Sequence, residues 1–337
     1  MFAARPFPGE EPAVVTQTRQ AAPIFLHGIS PRSGTNYVWD LLSLHPDVAP
    51  ARDPVREDFF LECSDHLVAF GEAVRSRWDP IWGDVRDIGL IRRLHACIGQ
   101  GLIDFLSADP DRRLLAKTPS VKNIGRFFEL FPIARLLILI RDGRSVVQSC
   151  MSTFGWDMDR SARLWADGAA EVARFRDAGD ERYRILRYED IVDDVAGSIA
   201  EVLRFLALDE EAFDFDAAAS LPVRGSSALF GPGRSSVHWD PVARPPDFAP
   251  KERWRSWSPQ MHERFEWIAG RQMQALGYPT TVTPIVGTSR VVRHVAHDAI
   301  GGGRTAIRTA LFRGRVWVGS RTRPIRARLG LVRREDP

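Results

Sequence analysis

Only three cysteines occur in 337 residues: Cys63, Cys97 and Cys150. An odd number without ligand spacing excludes a disulfide framework and fits reduced thiols in a cytoplasm. The eight histidines form no His-Glu-x-x-His motif and no paired Cys/His arrangement, so neither a structural nor a catalytic metal is expected. No run comes near the roughly 20 apolar residues of a membrane span. Met1–Gln20 carries prolines and a glutamate pair where a signal peptide has its apolar stretch. The sequence has no internal repeat. Lysine is missing from the C-terminal part: beyond residue 287 there are twelve Arg, no Lys and three acids, a local charge of +9. The remainder holds 34 basic and 40 acidic residues, a net −6, so the overall +3 hides an acidic domain with a basic tail. Such a tail can lie on an anionic membrane, bind an acidic glycan or pack on an acidic domain. Gly301–Gly303 reads as a hinge.

Two familiar loops are also missing. A Walker A loop has Gly, four residues, then Gly-Lys-Ser/Thr, and counting from Gly28 the Gly-Lys pair is absent. A nucleophile elbow fails at Arg32, which stands where the second glycine belongs. What residues 22–36 do contain is a short apolar strand, a turn of Ser30, Pro31, Arg32, Ser33 and Gly34, and a helix whose apolar positions Tyr37, Val38, Leu41, Leu42 and Leu44 recur at helical spacing up to Pro46. This arrangement aims backbone N–H groups, a helix N-terminus and one cation at a phosphate-sized spot.

A second strand–turn–helix unit lies downstream. Ile133–Ile140 ends in a continuous apolar run suited to a strand buried on both faces. Arg141-Asp142-Gly143-Arg144 then opens a helix with Val146, Val147, Cys150, Met151 and Phe154 on one side and Ser145, Ser149 and Ser152 on the other. Serines are mildly unfavourable inside a helix, and a polar ligand facing them would explain their presence.

Pro31-Arg32-Ser33-Gly34-Thr35 resembles the 5′-phosphosulfate loop of sulfotransferases that use 3′-phosphoadenosine 5′-phosphosulfate (PAPS). Arg141 with Ser149 eight residues later resembles the motif by which that family holds the 3′-phosphate. Tyr188-Glu189-Asp190 resembles the element whose tyrosine lies near the adenine. Val223–Ser227 and Arg253-Trp254 resemble the loop and basic–Trp pair that close over the cofactor. The resemblance covers about residues 22–278. It implies a cofactor site made of Arg32, Ser33, Gly34, Thr35, Asn36, Tyr37, Arg141, Ser149, Tyr188, Ser226, Ser227 and Arg253, with PAPS as co-substrate and no metal.

The resemblance also implies a chemistry of in-line transfer, with Arg32 as an electrostatic clamp that cannot act as an acid because guanidinium hardly deprotonates. Lys117 matches a second basic position and would place a donor on the transferring sulfonate. A hydroxyl acceptor needs a base, and Glu57 resembles the acidic residue of the glycan- and tyrosine-acting branches, with Asp53 and Asp58 behind it. The small-molecule branch uses a His after Lys-Thr, where this chain has Pro119.

Strands are expected near 22–28, 112–117, 135–140 and 183–188. Helices are expected at 34–45, 58–76, 86–107, 120–130, 142–153, 157–177, 190–206 and 257–276, and 222–250 reads as a lid. The alternation gives an α/β fold, a P-loop-like parallel sheet covered by helices on both faces. Three parts are expected: an N-terminal extension (1–21), a sulfotransferase domain (22–280) and a basic extension (281–337). The reading is a bacterial cytoplasmic enzyme moving a sulfuryl group to a hydroxyl or amine acceptor, such as a carbohydrate, glycolipid or natural product. No nucleic-acid partner is expected, and the tail is available for contact with the inner face of a membrane. A nucleotide kinase and a catalytically silent PAPS-binding scaffold are the alternatives.

Overall fold

Leu136–Ile140, the apolar run noted above, is the buried part of an inner strand in a five-stranded parallel sheet. The computed structural model describes residues 22–82, 87–224, 241–243, 251–280 and 290–299. In chain order its strands are β1 (Ile24–Gly28), β2 (Val48–Pro50), β3 (Arg113–Thr118), β4 (Arg135–Ile140) and β5 (Tyr183–Arg187). Their spatial order is β2-β3-β1-β4-β5. The helices are α1 (Thr35–Leu42), α2 (Ser64–Arg75), α3 (Ile88–Leu106), α4 (Phe127–Leu130), α5 (Gly143–Phe154), α6 (Met158–Asp177), α7 (Tyr188–Asp193), α8 (Val195–Leu206), α9 (Phe215–Ala219) and α10 (Pro259–Ala275).

Alternation along the strands builds two apolar layers. Phe25, Leu136 and Ile138 face Phe127 and Phe131 from α4 and its C-cap, Trp165 from α6 and Phe265 from α10. Ile24, Leu26 and Leu137 face Val38, Leu41, Ile199 and Leu203 from α1 and α8. A parallel sheet covered on both faces needs such apolar strands, and β1 and β3 are buried throughout.

The expectation holds for four strands and misses β2, whose three residues pair with Arg113–Leu115 at the sheet edge. The helix expected from residue 58 begins at Ser64. Residues 57–60 are held instead on the end of β3, where Asp58 N–H donates to the Lys117 carbonyl at 3.3 Å and Phe59 N–H to Thr118 Oγ1 at 3.2 Å. The helix expected over 190–206 is divided at Asp194, whose carboxylate caps the Gly197 N–H of α8 at 2.9 Å. Of the expected helix 120–130, a 3₁₀ turn (Ile124–Arg126) and α4 remain. Within 222–250, Val223 and Val242 pair as an antiparallel bridge.

The chain divides into two units, Met1–Thr280 and Thr281–Pro337. In the second, residues 290–299 are described and are helical, so most of the arginine-rich segment lies outside the described residues. Among the described residues no helix is long and apolar enough to cross a membrane. Gly28, Thr118, Ile140 and Arg187 end neighbouring strands pointing the same way. The segments that follow them carry the candidate residues, at the edge where open α/β sheets bind ligands.

Candidate active site

The loop between β1 and α1 is shaped from within. Ser33 is buried, its hydroxyl donates to the Ser30 carbonyl at 2.6 Å, and it accepts from the Ser30 N–H at 3.2 Å. Ser33 therefore fixes the loop and does not line the cavity it surrounds. Gly34 caps α1 with φ 101°, in the left-handed region that favours glycine, and no side chain caps the helix start. A Cβ there would lie 2.5 Å from the Tyr188 ring. Glycine thus lets the first turn of α1 approach the aromatic side chain that opens α7.

Arg32 and Arg141 meet at this loop. Arg32 Nε donates to Ser149 Oγ at 3.0 Å, and Arg141 Nη1 donates to the Arg32 carbonyl at 3.0 Å. The Arg141 guanidinium lies 4.2 Å from the centre of the Tyr188 ring, which meets the Tyr37 ring edge-on at 6.3 Å. Burial, and then the charges of Arg141 and Arg253, push Arg32 down to about 10. Arg253, in the 3₁₀ turn Arg253–Ser256, is lowered by burial and then by Arg141. Three guanidinium groups therefore share one corner. The sequence reading separates Arg32 from the Arg141–Ser149 pair, whereas the structure joins them.

The serine stripe of α5 resolves into three different environments. Ser149 lines the cavity. Ser145 is buried, and Ser152 is exposed with its hydroxyl donating to the Gln148 carbonyl at 2.9 Å. Asp142 caps α5 at the Arg144 N–H and clamps the Arg144 guanidinium at 2.6–3.0 Å, and that cation stacks 3.9 Å from the centre of the Trp254 ring. Trp257 Nε1 donates to Gln148 Oε1 at 2.6 Å. Both tryptophans thereby attach the Arg253 turn to α5.

At the other side, Lys117 Nζ donates to Glu57 Oε1 at 3.3 Å. Burial lowers the Lys117 pKa, and the Glu57 carboxylate opposes that shift by charge and hydrogen bond. Glu57 lines the cavity but Lys117 does not. The lysine stands behind the glutamate, and its hydrogen bond goes to that carboxylate. Asp58 is buried and Asp53 exposed, and neither lines the cavity.

The cavity measures about 990 Å³. Arg32, Gly34, Thr35, Asn36, Tyr37, Arg141, Ser149, Tyr188 and Arg253 line it together with Glu57, Phe59, Phe154 and Trp156, and the Arg32 guanidinium lies 5.8 Å from the centre of the Phe154 ring. Ser226 and Ser227 lie outside the described residues. Sequence reasoning missed the Asp40–Arg224 ion pair, which joins α1 to the segment after α9 and lines the same cavity. Its members are far apart in sequence, and no local signal marks them. Burial raises the Asp40 pKa and Arg224 opposes the shift. Cys150, buried beneath the loop, is raised to about 11 by burial, so it is a thiol and no nucleophile.

Comparison with known proteins gives a consistent set of relatives. The pattern of the family described as "Sulfotransferase family" matches residues 23–212. The protein-tyrosine sulfotransferase of Drosophila melanogaster is 29% identical over 206 residues, 57% of this chain and 39% of that protein. Protein-tyrosine sulfotransferase A of Caenorhabditis elegans is 29% identical over 138 residues, 38% of this chain and 33% of that protein. The chain thus spans about two fifths or less of the length of these relatives. Among solved structures, the sulfotransferase domain of the Synechococcus olefin synthase aligns with TM-score 0.48 at 19% identity, over 79% of this chain and 98% of that one. A mouse sulfotransferase complexed with PAP aligns at 0.45 and 12% identity, over 82% and 89%.

Proposed function

The chain belongs to the sulfotransferase family, and from that premise we propose that it transfers a sulfuryl group from PAPS to a hydroxyl or amine acceptor bound in the same cavity. The observation that carries this reading is the meeting of Arg32, Arg141 and Arg253 around Ser149 and the uncapped start of α1. Three cations and a helix start that no side chain caps suit a nucleotide with two separated anionic groups. Tyr37 and Tyr188 supply aromatic surface for a base, and the space a Cβ would fill at Gly34 keeps that surface close.

In this reading the loop 30–36 and α1 hold the 5′-phosphosulfate, while Arg141, Ser149 and Arg253 hold the 3′-phosphate. Arg32, between the two positions, stabilises the charge that develops on the leaving oxygen. Glu57 takes the proton of the attacking hydroxyl, and Lys117 behind it holds the carboxylate in place by its hydrogen bond. Phe59, Phe154 and Trp156 line the same cavity as this carboxylate, and their rings offer flat apolar surface that suits the faces of sugar or aromatic acceptors. The similarity to two protein-tyrosine sulfotransferases adds a phenolic hydroxyl to the acceptors worth testing.

Calorimetry tests the cofactor: adenosine 3′,5′-bisphosphate should bind far better than AMP or ATP, and without Mg²⁺. Equal affinity for AMP, or tight binding only of ATP with Mg²⁺, would favour the kinase reading. Labelled PAPS offered with pools of saccharides, phenols and amines then reports the acceptor. Binding without turnover on any pool would favour a silent PAPS-binding protein.

A further inference from the structure

Arg224 is a cavity-lining cation that the proposed chemistry does not use. It borders the same space as Asn36, Tyr37, Asp40 and Glu57. Asp40 stands three and four residues beyond Tyr37 and Asn36, so one side of α1 brings all three to the cavity. It follows Thr35, the first residue of α1, by five positions, or roughly 8 Å along the helix axis. The Asp40–Arg224 pair is thereby set apart from the helix start assigned above to the phosphosulfate.

The guanidinium is firmly held. Its Nε donates to Asp40 Oδ2 at 2.6 Å and its Nη2 to Asp40 Oδ1, which makes a side-on bidentate pair. The Trp39 ring centre lies 5.1 Å from its central carbon, within cation–π range. The neighbouring backbone is fixed as well. Leu221 is buried in the apolar layer of Val38 and Leu41, and Val223 exchanges two hydrogen bonds with Val242, at 2.8 and 2.9 Å. Both side chains of the pair are 18% exposed. A guanidinium carries five N–H donors, and Asp40 takes two. Nη1 and the second hydrogen of Nη2 meet no acceptor among the described residues. These donors form the end-on edge, whose spacing matches two oxygens of a carboxylate, sulfate or phosphate. A lysine would tie the segment to Asp40 as a point charge, whereas arginine grips one oxyanion and still offers a second edge.

We infer that Arg224, held by Asp40, is a further anion-binding group of the cavity, and that the acceptor carries a carboxylate or another oxyanion apart from the group it presents for transfer. Asp40 is the positioning residue and Arg224 the one that meets the ligand. Because Asp40 offsets the charge of Arg224, the pair holds an anion by the directed hydrogen bonds of the fork and not by net charge. The statement about the acceptor rests on the sulfuryl transfer proposed above, but the anion site itself does not.

Inorganic sulfate, titrated into full-length protein saturated with adenosine 3′,5′-bisphosphate, tests the site. Against chloride at matched ionic strength, sulfate should still raise the melting temperature of the parent. Arg224→Gln should lose that rise. Arg224→Lys keeps a charge opposite Asp40 but not the fork, so it should melt near the parent without sulfate and bind sulfate about tenfold more weakly. No rise in the parent would overturn the inference. An undiminished rise in either variant would do the same, because it would place the sulfate elsewhere, such as beside Arg32. If Arg224→Gln does not fold, Arg224→Lys decides. With labelled PAPS, 4-hydroxyphenylacetate should be used over 4-methylphenol, or glucuronate over glucose, by about tenfold in kcat/KM. The difference should lie in KM and vanish in Arg224→Lys. Equal use of the uncharged partners would overturn the assignment of the acceptor. Absence of any sulfuryl transfer would refute the proposed function while leaving the sulfate result intact.

Discussion

Arg32 Nε and Ser149 Oγ lie 3.0 Å apart, which ties the loop after the first strand to a helix 117 residues further along the chain. The two motifs that resemble halves of a nucleotide site are therefore one structure even before a ligand is considered. Arg141 adds a second tie, through the Arg32 carbonyl. Loop backbone, serine hydroxyl and both cations are held in a common frame, so a change at one of them is felt at the others.

Ser149→Ala removes one acceptor from Arg32 and one hydroxyl from the proposed phosphate position. A hydrogen bond to a charged group is worth about 1.5–3 kcal/mol. Affinity for adenosine 3′,5′-bisphosphate, measured by calorimetry, is expected to fall about tenfold, with little change in melting temperature.

Arg141→Ala should weaken the same ligand by about tenfold to a hundredfold. The loss for AMP, which has no 3′-phosphate, should be smaller. Comparing the two ligands separates a missing phosphate contact from general damage to the loop. Equal losses would assign Arg141 to holding the Arg32 carbonyl only.

Glu57→Gln should preserve nucleotide affinity and lower turnover by roughly 10² to 10⁴, the usual worth of a placed base. The acid limb of the pH–rate profile should vanish with it. The same change removes the charge that opposes the burial of Lys117, so the lysine pKa should fall further. A buried lysine with a lowered pKa binds fewer protons than the unfolded chain between its folded value and 10.5. Stability contributed through this group therefore rises with pH across that window and is smallest below it. In Glu57→Gln the window should extend to lower pH, which melting curves recorded as a function of pH would reveal.

Gly34→Ala combines left-handed backbone with a Cβ 2.5 Å from Tyr188. Strain of this kind costs about 1–3 kcal/mol. The variant should melt several degrees lower and bind adenosine 3′,5′-bisphosphate more than tenfold more weakly. A parent-like melting curve would mean that α7 moves aside at little cost.

Candidate residues are legible in the sequence wherever one short segment holds all of them. The turn Ser30–Gly34 and the Arg141–Ser149 spacing are local patterns, and the apolar run before Arg141 locates the strand end that presents them. Lys117 reads as a donor because its position at a strand end is legible, but its engagement by Glu57 is not. That contact depends on residues 57–60 pairing with the end of β3 instead of entering a helix, and helical spacing in the apolar residues cannot report it. The Arg144–Trp254 stack and the Asp40–Arg224 pair were hidden for the same reason. Each joins segments far apart in sequence, and charge or aromatic content alone does not choose the partner.

The corner shared by Arg32, Arg141 and Arg253 also bears on how the protein is handled at the bench. Like charges held together under partial burial are poorly screened by dissolved salt, so the free protein gains by taking up whatever small anion the buffer supplies. Sulfate and phosphate would raise its melting temperature by simple mass action. The same ions would make nucleotides look weaker than they are, since each must first be displaced. For this protein the anion in the buffer is a competing ligand, and chloride and acetate at matched ionic strength become the reference conditions for any affinity worth quoting.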